Sequence, residues 1–137
     1  MNWTLEVICV PVTDVDRAKA FYAGQLGFNV DHDTTVSDRM RAVQLTPPGS
    51  GCSIVIGKGL APMQPGSLQG LQLVVADIRA AHTELVERGV EVSDVGVFTP
   101  DGLRPPREGE PLDNAGFCYF KDPDGNGWAV QQISSRA

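Results

Sequence analysis

The stretch VPVTDVDRAKAFYAGQLGFNV, Val10 to Val30, is echoed later in the chain by LVVADIRAAHTELVERGVEV, Leu73 to Val92. Asp14 of the first copy aligns with Asp77 of the second at an offset of 63 residues. Self-similarity at a fixed offset is the sequence signature of a repeated structural unit. The chain therefore reads as one supersecondary unit used twice.

Each copy predicts a strand, a helix and a second strand. An apolar run precedes the Asp, Asp is a favoured helix N-cap, and about three helical turns follow it. Gly27 or Gly89 then stops the helix. Further apolar runs predict strands at residues 40–45, 53–56, 117–120 and 128–133. TPPGSG (46–51) and DPDGNG (122–127) are typical of the hairpin turns between them. The predicted order is strand, helix and three strands, repeated.

Three segments carry a resemblance to a known family: VPVTDVDRAKAFYAGQLGF, LQLVVADIRAAHTELVERGVEV and FKDPDGNGWAV, in that order. They resemble the vicinal oxygen chelate superfamily, which contains glyoxalases, bleomycin-resistance proteins and extradiol dioxygenases. The resemblance covers nearly the whole chain and implies an α+β fold. In that fold two tandem βαβββ modules form an open, curved mixed β-barrel with the helices outside. We expect one domain over 1–137, with modules at about 1–62 and 66–137.

The resemblance also locates the positions at which metal-dependent members carry their ligands. These positions are Val7, seven residues before Asp14; Gly70, seven before Asp77; and Ala129, four after the glycine of DPDG. None of these side chains has a donor atom for a divalent ion. We therefore expect no metal and no cofactor. The alternative is one divalent ion, such as Zn, Ni or Fe, held by non-standard ligands.

The two histidines offer little toward such a site. His32 lies between Asp31 and Asp33, but strand alternation predicts that it opposes them. His82 falls on the second predicted helix, in the outer layer. Both are predicted to be solvent-exposed rather than ligating.

Strand alternation predicts a lining for a small-molecule pocket. The predicted ligand-binding residues on the strands are Val7, Cys9, Gly70, Gln72, Ala129 and Gln131. This wall is mostly apolar, with two amides able to orient a ligand. The alternative is that these side chains only fill a closed barrel. Cys9 is predicted to pack as a small apolar residue, since no base for a nucleophile is identifiable near it.

The segment from Phe98 to Gly116 lacks periodicity, and long aperiodic loops are usually functional or disordered. Phe98 and Arg104 are added to the predicted ligand-binding residues, because an aromatic ring and a guanidinium could cover the pocket and meet an anionic group. The alternative is a solvated loop with paired charges such as Arg107 and Glu110. The sequence does not decide between these two interpretations of the segment.

Composition limits the partners and the compartment. A net charge of -6 and a pI near 4.7 oppose binding to nucleic acid. The three cysteines cannot all pair within the chain, which favours reduced thiols and a cytoplasmic protein. No basic leader and no run of apolar residues long enough for a bilayer is present, so neither secretion nor membrane insertion is expected.

The leading hypothesis is a glyoxalase/bleomycin-resistance-like protein that lacks the usual metal ligands. It would bind a small apolar or aromatic molecule in the barrel cavity, with drug sequestration and antibiotic resistance as one form of that function. The alternative is a metal-dependent glyoxalase-like lyase, isomerase or dioxygenase with non-standard ligands, so whether the chain is an enzyme stays open. A third class is a structural or regulatory subunit with a closed barrel. A homodimer is implied by the resemblance alone.

Overall fold

The computed structural model describes residues 1–136. The chain divides into two compact units. The first contains Met1–Leu68 together with Asp122–Asn126, and the second contains Gln69–Lys121 and the residues from Gly127 onward.

The first unit is a four-stranded sheet with one helix. Its elements are β1 (Val7–Cys9), α1 (Val15–Lys19), a π-helical continuation (Ala20–Gln25), β2 (Asn29–Ser37), β3 (Met40–Thr46) and β4 (Ser53–Lys58). The strand order is β1-β4-β3-β2, in which β1 and β4 run parallel and the other pairs antiparallel. The helix continues in the π form over Ala20–Gln25, a segment that includes Gly24, a poor helix former.

The second unit repeats this plan with one strand more. Its elements are β5 (Leu71–Val75), α2 (Ile78–Glu87), β6 (Gly96–Thr99), β7 (Gly102–Arg104), β8 (Gly116–Lys121), β9 (Gly127–Gln132) and a short 3-10 turn (Ser134–Arg136). The strand order is β5-β9-β8-β6-β7, again with the first and last strands of the repeat parallel. The two units thus share one order of strands, and β7 is an additional strand at the edge of the second.

The predicted helix boundaries are also confirmed. The side chain of Asp14 accepts a hydrogen bond from the backbone N–H of Arg17 at 3.0 Å. Asp77 caps α2 in the same way, accepting from two backbone N–H groups at 3.1 Å. Gly27 and Gly89 follow the helices with φ of 75° and 79°, a conformation that glycine adopts without steric cost.

Two expectations need correction. Within residues 1–136 the strands form two separately hydrogen-bonded sheets, so the expected barrel is not confirmed. The segment predicted to be an aperiodic loop contains the β6–β7 hairpin, whose turn is Thr99-Pro100-Asp101-Gly102. This turn has the same Pro-Asp-Gly chemistry as the DPDG turn, with φ of 107° at Gly102. The signal was present in the sequence, but only three or four residues flank it on each side.

In each unit the helix packs on one face of the sheet and buries an apolar layer. In the first unit this layer contains Val43, Leu45, Ile54 and Ile56. In the second it contains Leu71, Cys118, Phe120, Trp128 and Val130, with Ile78 of α2. No helix among residues 1–136 combines the length and the apolar character needed to cross a bilayer.

The DPDGN turn between β8 and β9 contributes a buried polar network to the first unit. Asp122 and Asn126 are 4% and 0% exposed. One oxygen of the Asp122 carboxylate accepts from the backbone N–H groups of residues 124, 125 and 126 at 2.9–3.0 Å. The other accepts from the Tyr22 hydroxyl at 2.7 Å and from the Asn126 amide at 2.8 Å. A buried carboxylate is tolerated only when it is hydrogen-bonded in this way.

Asn126 extends the network to the main chain of the first unit. Its Nδ2 also donates to the carbonyl of Pro11 at 2.8 Å, and its Oδ1 accepts from the N–H of Leu68 at 3.1 Å. Asp124 accepts from the N–H and hydroxyl of Thr13 and from Arg17. Besides joining β8 to β9, the turn therefore forms side-chain hydrogen bonds that hold segments of the first unit together.

Replacing Tyr22 with Phe is expected to lower the free energy of unfolding by about 1.5–3 kcal/mol, because the buried Asp122 carboxylate loses one of its donors. Urea denaturation measures the change. Tyr119→Phe is the matched control, since the Tyr119 side chain is 39% exposed on the sheet and its loss of a hydroxyl should cost less than about 0.5 kcal/mol. Equal effects of the two substitutions would contradict the assignment.

Candidate functional site

The sheet of the second unit has one face covered by α2 and an opposite face that carries aromatic side chains. The register places Gln72, Ala129 and Tyr119 side by side across β5, β9 and β8. The next row contains Val74, Gln131 and Phe117. Because side chains alternate along strands, these rows lie on the same face, opposite the buried layer. We call it the aromatic face.

Three rings form a continuous apolar strip on this face. Phe98 of β6 lies with its ring centroid 5.5 Å from that of Phe117, and Phe117 lies 6.4 Å from Tyr119. Phe98 is 58% exposed and Tyr119 39% exposed. Exposed apolar patches of this kind mark interaction or ligand-binding sites. The strip can receive a flat apolar molecule by ring contact.

Two amides stand beside the rings and are joined in a chain of hydrogen bonds. Nε2 of Gln72 donates to Oε1 of Gln131, and Nε2 of Gln131 donates to the backbone carbonyl of Asn114 at 2.8 Å. Gln72 is exposed and Gln131 half-buried. The amides are thus held in fixed orientations next to Ala129, whose methyl group leaves space above the sheet.

The loop after β7 is tied to the second unit at several points. Asn114 has φ of 63° and donates its N–H to the carbonyl of Gln132 at 2.8 Å. The N–H of Ser134 donates to the carboxylate of Asp113. These bonds fix the carbonyl of Asn114 in the position where Gln131 reaches it. The loop therefore holds the Gln131 side chain in place on the aromatic face.

Arg104 does not share the aromatic face. Arg104 pairs in register with the buried Val97, whereas Phe98 pairs with Leu103, so the two predicted ligand contacts lie on opposite sides of the β6–β7 ladder. The guanidinium of Arg104 binds Glu110 through two hydrogen bonds of 2.9 and 2.7 Å. The ion pair predicted as an alternative for Arg107 is formed by Arg104 instead, while Arg107 donates its backbone N–H to the same carboxylate.

These bonds change the acidity of Glu110. The guanidinium of Arg104 and the N–H of Arg107 lower the pKa of the Glu110 carboxyl to about 2. The same pairing raises the pKa of Arg104 above its ordinary range. The charge of Arg104 is therefore already paired with that of Glu110, in the loop that follows β7.

The remaining predicted lining residues lie in or beside the first strands of the two units. Val7 and Cys9 lie on β1 and pair with Ser53 and Val55 of β4. Cys9 is half-buried, and burial raises the pKa of its thiol. Gly70 precedes β5 with φ of 88°. The structure thus brings Gln72, Phe98, Ala129 and Gln131 together on the aromatic face, with Val7 and Cys9 on the sheet of the first unit.

The three positions to which the family resemblance assigns metal ligands have no donor atom in their side chains. The side chain is an isopropyl group in Val7, a hydrogen atom in Gly70 and a methyl group in Ala129. Within residues 1–136 no group of three or more His, Cys, Asp or Glu side chains is placed to hold a metal ion. The chemistry of these side chains does not fit a divalent ion.

The predicted alternation around His32 is wrong. The β2 register shifts between Val30 and His32, which makes Asp31 the extra residue of a β-bulge. Asp31 accepts from the hydroxyl of Thr46, and Nε2 of His32 lies 3.3 Å from Oε1 of Gln44. Thr46 and Gln44 are two residues apart on β3, so Asp31 and His32 share a face.

Asp33 takes the opposite side of the same sheet. It pairs in register with the buried Val43 and accepts hydrogen bonds from Lys19 at 2.9 Å and from Arg41 at 3.0 and 2.7 Å. These two cations lower the pKa of Asp33 well below its ordinary range, with Arg41 the larger influence. The two acids that flank His32 therefore lie on opposite faces of the sheet and cannot bind one ion together.

The predicted exposure of His82 is also wrong. His82 is half-buried, and its Nε2 is buried without a hydrogen-bond partner among residues 1–136. It follows Ile78 by four residues and precedes Leu85 by three, so it shares their inward-facing side of α2. The helical spacing contained this signal, but the polarity of the side chain argued against it.

The first unit contains a groove of about 640 Å³ beside α1 and the β2–β3 hairpin. It is lined by polar side chains, with Val15 the only apolar one among its lining residues. Its cations are already engaged: Arg41 with Asp16 and Asp33, and Lys58 with the carbonyl of Asp38. This groove does not suit an apolar ligand.

Comparison with known proteins gives a family match over most of the chain. Residues 4–130 match the profile of the Glyoxalase/Bleomycin resistance protein/Dioxygenase superfamily. No curated protein matches the sequence.

Several solved structures are similar over nearly the full length. TnmS3, an antibiotic binding protein from Streptomyces sp. CB03234, has 32% identity and a TM-score of 0.76, covering 97% of this chain and 98% of that chain. A glyoxalase/bleomycin resistance protein from the same organism has 32% identity and a TM-score of 0.72, covering 94% and 100%. A superfamily member from Sphaerobacter thermophilus has 27% identity and a TM-score of 0.74, covering 96% and 98%.

Replacing Glu110 with Gln is expected to reduce stability in a pH-dependent way. A carboxyl whose pKa is lower in the folded state stabilises the protein above its unfolded pKa, near 4.5, and loses this effect as the pH falls toward about 2. The variant should therefore unfold more easily than the parent at neutral pH, and the difference should shrink between those two values. Thermal unfolding over a pH series measures it. Glu108→Gln, in the same loop, is the control, and a pH-independent difference for Glu110→Gln would contradict the ion pair.

Proposed function

Because the chain belongs to the Glyoxalase/Bleomycin resistance protein/Dioxygenase superfamily, we propose that it binds a small apolar or aromatic molecule on the aromatic face of its second unit. Binding would sequester the molecule without changing it. The observation that carries the proposal is the strip of Phe98, Phe117 and Tyr119 beside two hydrogen-bonded amides.

The physical basis is the combination of apolar area and a few oriented polar groups. Small-molecule sites are lined mainly by apolar and aromatic side chains, with a small number of placed polar groups that set orientation. Phe98, more than half exposed, loses solvent contact when a ligand covers it. Gln72 and Gln131 supply the polar part.

Similarity to an antibiotic binding protein supports a drug as the ligand class. TnmS3 shares 32% identity with this chain, and the match covers 97% of this chain. Sequestration of an antibiotic, and through it resistance, is therefore the form of the function that we propose. A protein of this kind protects a cell by lowering the free concentration of the drug, so affinity rather than turnover determines its effect.

We propose that binding requires no metal ion. The support is chemical: the side chains of Val7, Gly70 and Ala129 have no lone pairs to offer, and no alternative cluster of His, Cys, Asp or Glu is found in residues 1–136. A metal-dependent lyase, isomerase or dioxygenase would need at least three converging donors. No observation favours that function over ligand capture.

We also propose a homodimer, which the family resemblance implies. Trp3, Leu5 and Val7 are 87%, 68% and 38% exposed, at alternate positions leading into and along β1. β1 is an edge strand of its sheet. Exposed apolar side chains at and just before an edge strand form a surface at which a second chain can bury apolar area.

Replacing Phe98 with Ser is expected to weaken ligand binding by about tenfold, or about 1.4 kcal/mol, because one ring of the strip is removed. A thermal-shift screen of aromatic antibiotics identifies the test ligand, since a compound at a hundred times its dissociation constant adds about 2.7 kcal/mol of stability. Isothermal titration of the same compound then compares the parent and the variant.

The control is Val36→Ser, because Val36 is also an exposed apolar residue, at 68%, but lies on β2 of the first unit. It should leave the affinity unchanged. The titration is repeated with protein treated with a chelator, and the affinity should again be unchanged. Loss of binding after chelation would favour the metal-dependent alternative, and a screen without a single shift would favour a structural subunit.

Light scattering is expected to give twice the chain mass of 14.7 kDa. The double substitution Trp3→Ser and Leu5→Ser should shift the protein toward the monomer, because it removes the exposed apolar row. Val36→Ser again serves as the control. A parent protein that stays monomeric at high concentration would refute the dimer.

A further inference from the structure

We infer that the ligand of the aromatic face presents a hydrogen-bond donor, a hydroxyl or N–H group on an aromatic ring, to Oε1 of Gln72. This inference rests on the proposed function and specifies its ligand class as aromatic compounds with a ring hydroxyl or amino group. The argument starts from the direction of the hydrogen bonds between Asn114, Gln131 and Gln72.

The backbone carbonyl of Asn114 sets that direction. A carbonyl oxygen can only accept, so the group of Gln131 that meets it must be the amide nitrogen, and this contact measures 2.8 Å. The amide of Gln131 therefore presents its oxygen away from Asn114. That oxygen also can only accept, so Gln72 must meet it with its own nitrogen. One main-chain carbonyl thus orients both side chains.

Oε1 of Gln72 is the end of the chain. It accepts no hydrogen bond from any group in residues 1–136, and Gln72 is exposed. A ligand that covers this oxygen without donating to it removes water and leaves an acceptor unsatisfied, which is unfavourable. A ligand with a donor at this point replaces the water. A ligand with only a lone pair there is repelled.

The backbone of Asn114, which accepts the last hydrogen bond of the amide chain, is itself held in place. Asn114 is held at φ of 63° by its own N–H bond to Gln132. Rotating the amide of Gln131 by half a turn would set its oxygen against the carbonyl of Asn114. The orientation of Gln72 is therefore imposed by the carbonyl of Asn114 through Gln131, so Gln131 positions Gln72 in addition to lining the site.

Ala129 provides the space in which the ring can approach. It lies between Gln72 and Tyr119 in register, and two strand spacings separate these residues by about 9.5 Å. A methyl group fills little of that interval, so an aromatic ring can contact Tyr119 while its substituent faces Gln72. Phe117, next to Tyr119, extends the apolar wall.

The experiment uses a matched pair of probes, 2-naphthol and 2-methoxynaphthalene, which differ in whether the oxygen can donate. NMR titration of the full chain gives both dissociation constants and locates the site from the signals of the aromatic face. We expect 2-naphthol to bind about tenfold more tightly, although its ether has more apolar surface. The Gln72 side-chain amide signals should shift with 2-naphthol and much less with the ether.

Gln72→Met keeps the length of the side chain and removes the acceptor. In this variant the preference for 2-naphthol should be lost or reversed. Gln131→Met should reduce the preference while retaining binding, because Gln72 then rotates freely. Gln44→Met, which replaces a half-buried glutamine of the first unit, is the control and should keep the full preference.

The outcomes separate the inference from the function on which it rests. Equal affinity for both probes in the parent protein, at the aromatic face, overturns the donor requirement and leaves the binding function standing. A preference that persists in Gln72→Met assigns the donor contact elsewhere and also overturns it. If neither probe shifts the signals of Phe98, Phe117 or Tyr119, both the inference and the proposed function fail. Because Gln72 is exposed, the substitution should leave the core intact, and the amide shifts of the parent give an independent reading.

Discussion

The buried carboxylate of Asp122 is the constraint on which the first unit depends. A charged group at 4% exposure is stable only if its lone pairs are used, and five donors reach it from Tyr22, Asn126 and the turn itself. Residues 122–126 belong to the first unit, whereas the strands that flank them belong to the second. The strand that follows it, β9, begins directly at Gly127 and carries Ala129 and Gln131.

β9 presents different kinds of side chain on the two faces of its sheet. Trp128 and Val130 point into the apolar layer under α2, whereas Ala129 and Gln131 alternate onto the aromatic face. In metal-dependent relatives the resemblance assigns a ligand to the position of Ala129. The methyl group found there has no donor atom for a metal ion, and it lies between Gln72 and Tyr119 in the sheet register.

The site could be predicted from the sequence only in part. Alternation along the predicted strands identified Gln72, Ala129 and Gln131 as residues of one face, because successive side chains of a strand point to opposite faces of the sheet. Phe117 and Tyr119 were not identified, since their strand was recognised but its facing side depends on pairing with β9. Arg104 was expected beside Phe98, yet the β6–β7 register separates them and Glu110 takes the guanidinium. Local polarity could not reveal that partner.

The sequence by itself determined the duplication, the two helix caps, the glycine stops and the absence of donor atoms at Val7, Gly70 and Ala129, because each of these follows from residue type and local spacing. Only the tertiary structure decided the aromatic face and the direction of its amide chain. Gln72 and Gln131 are 59 residues apart, and their contact depends on the parallel register of β5 and β9. Register is set by the packing of a whole sheet, so no short stretch of the chain contains it.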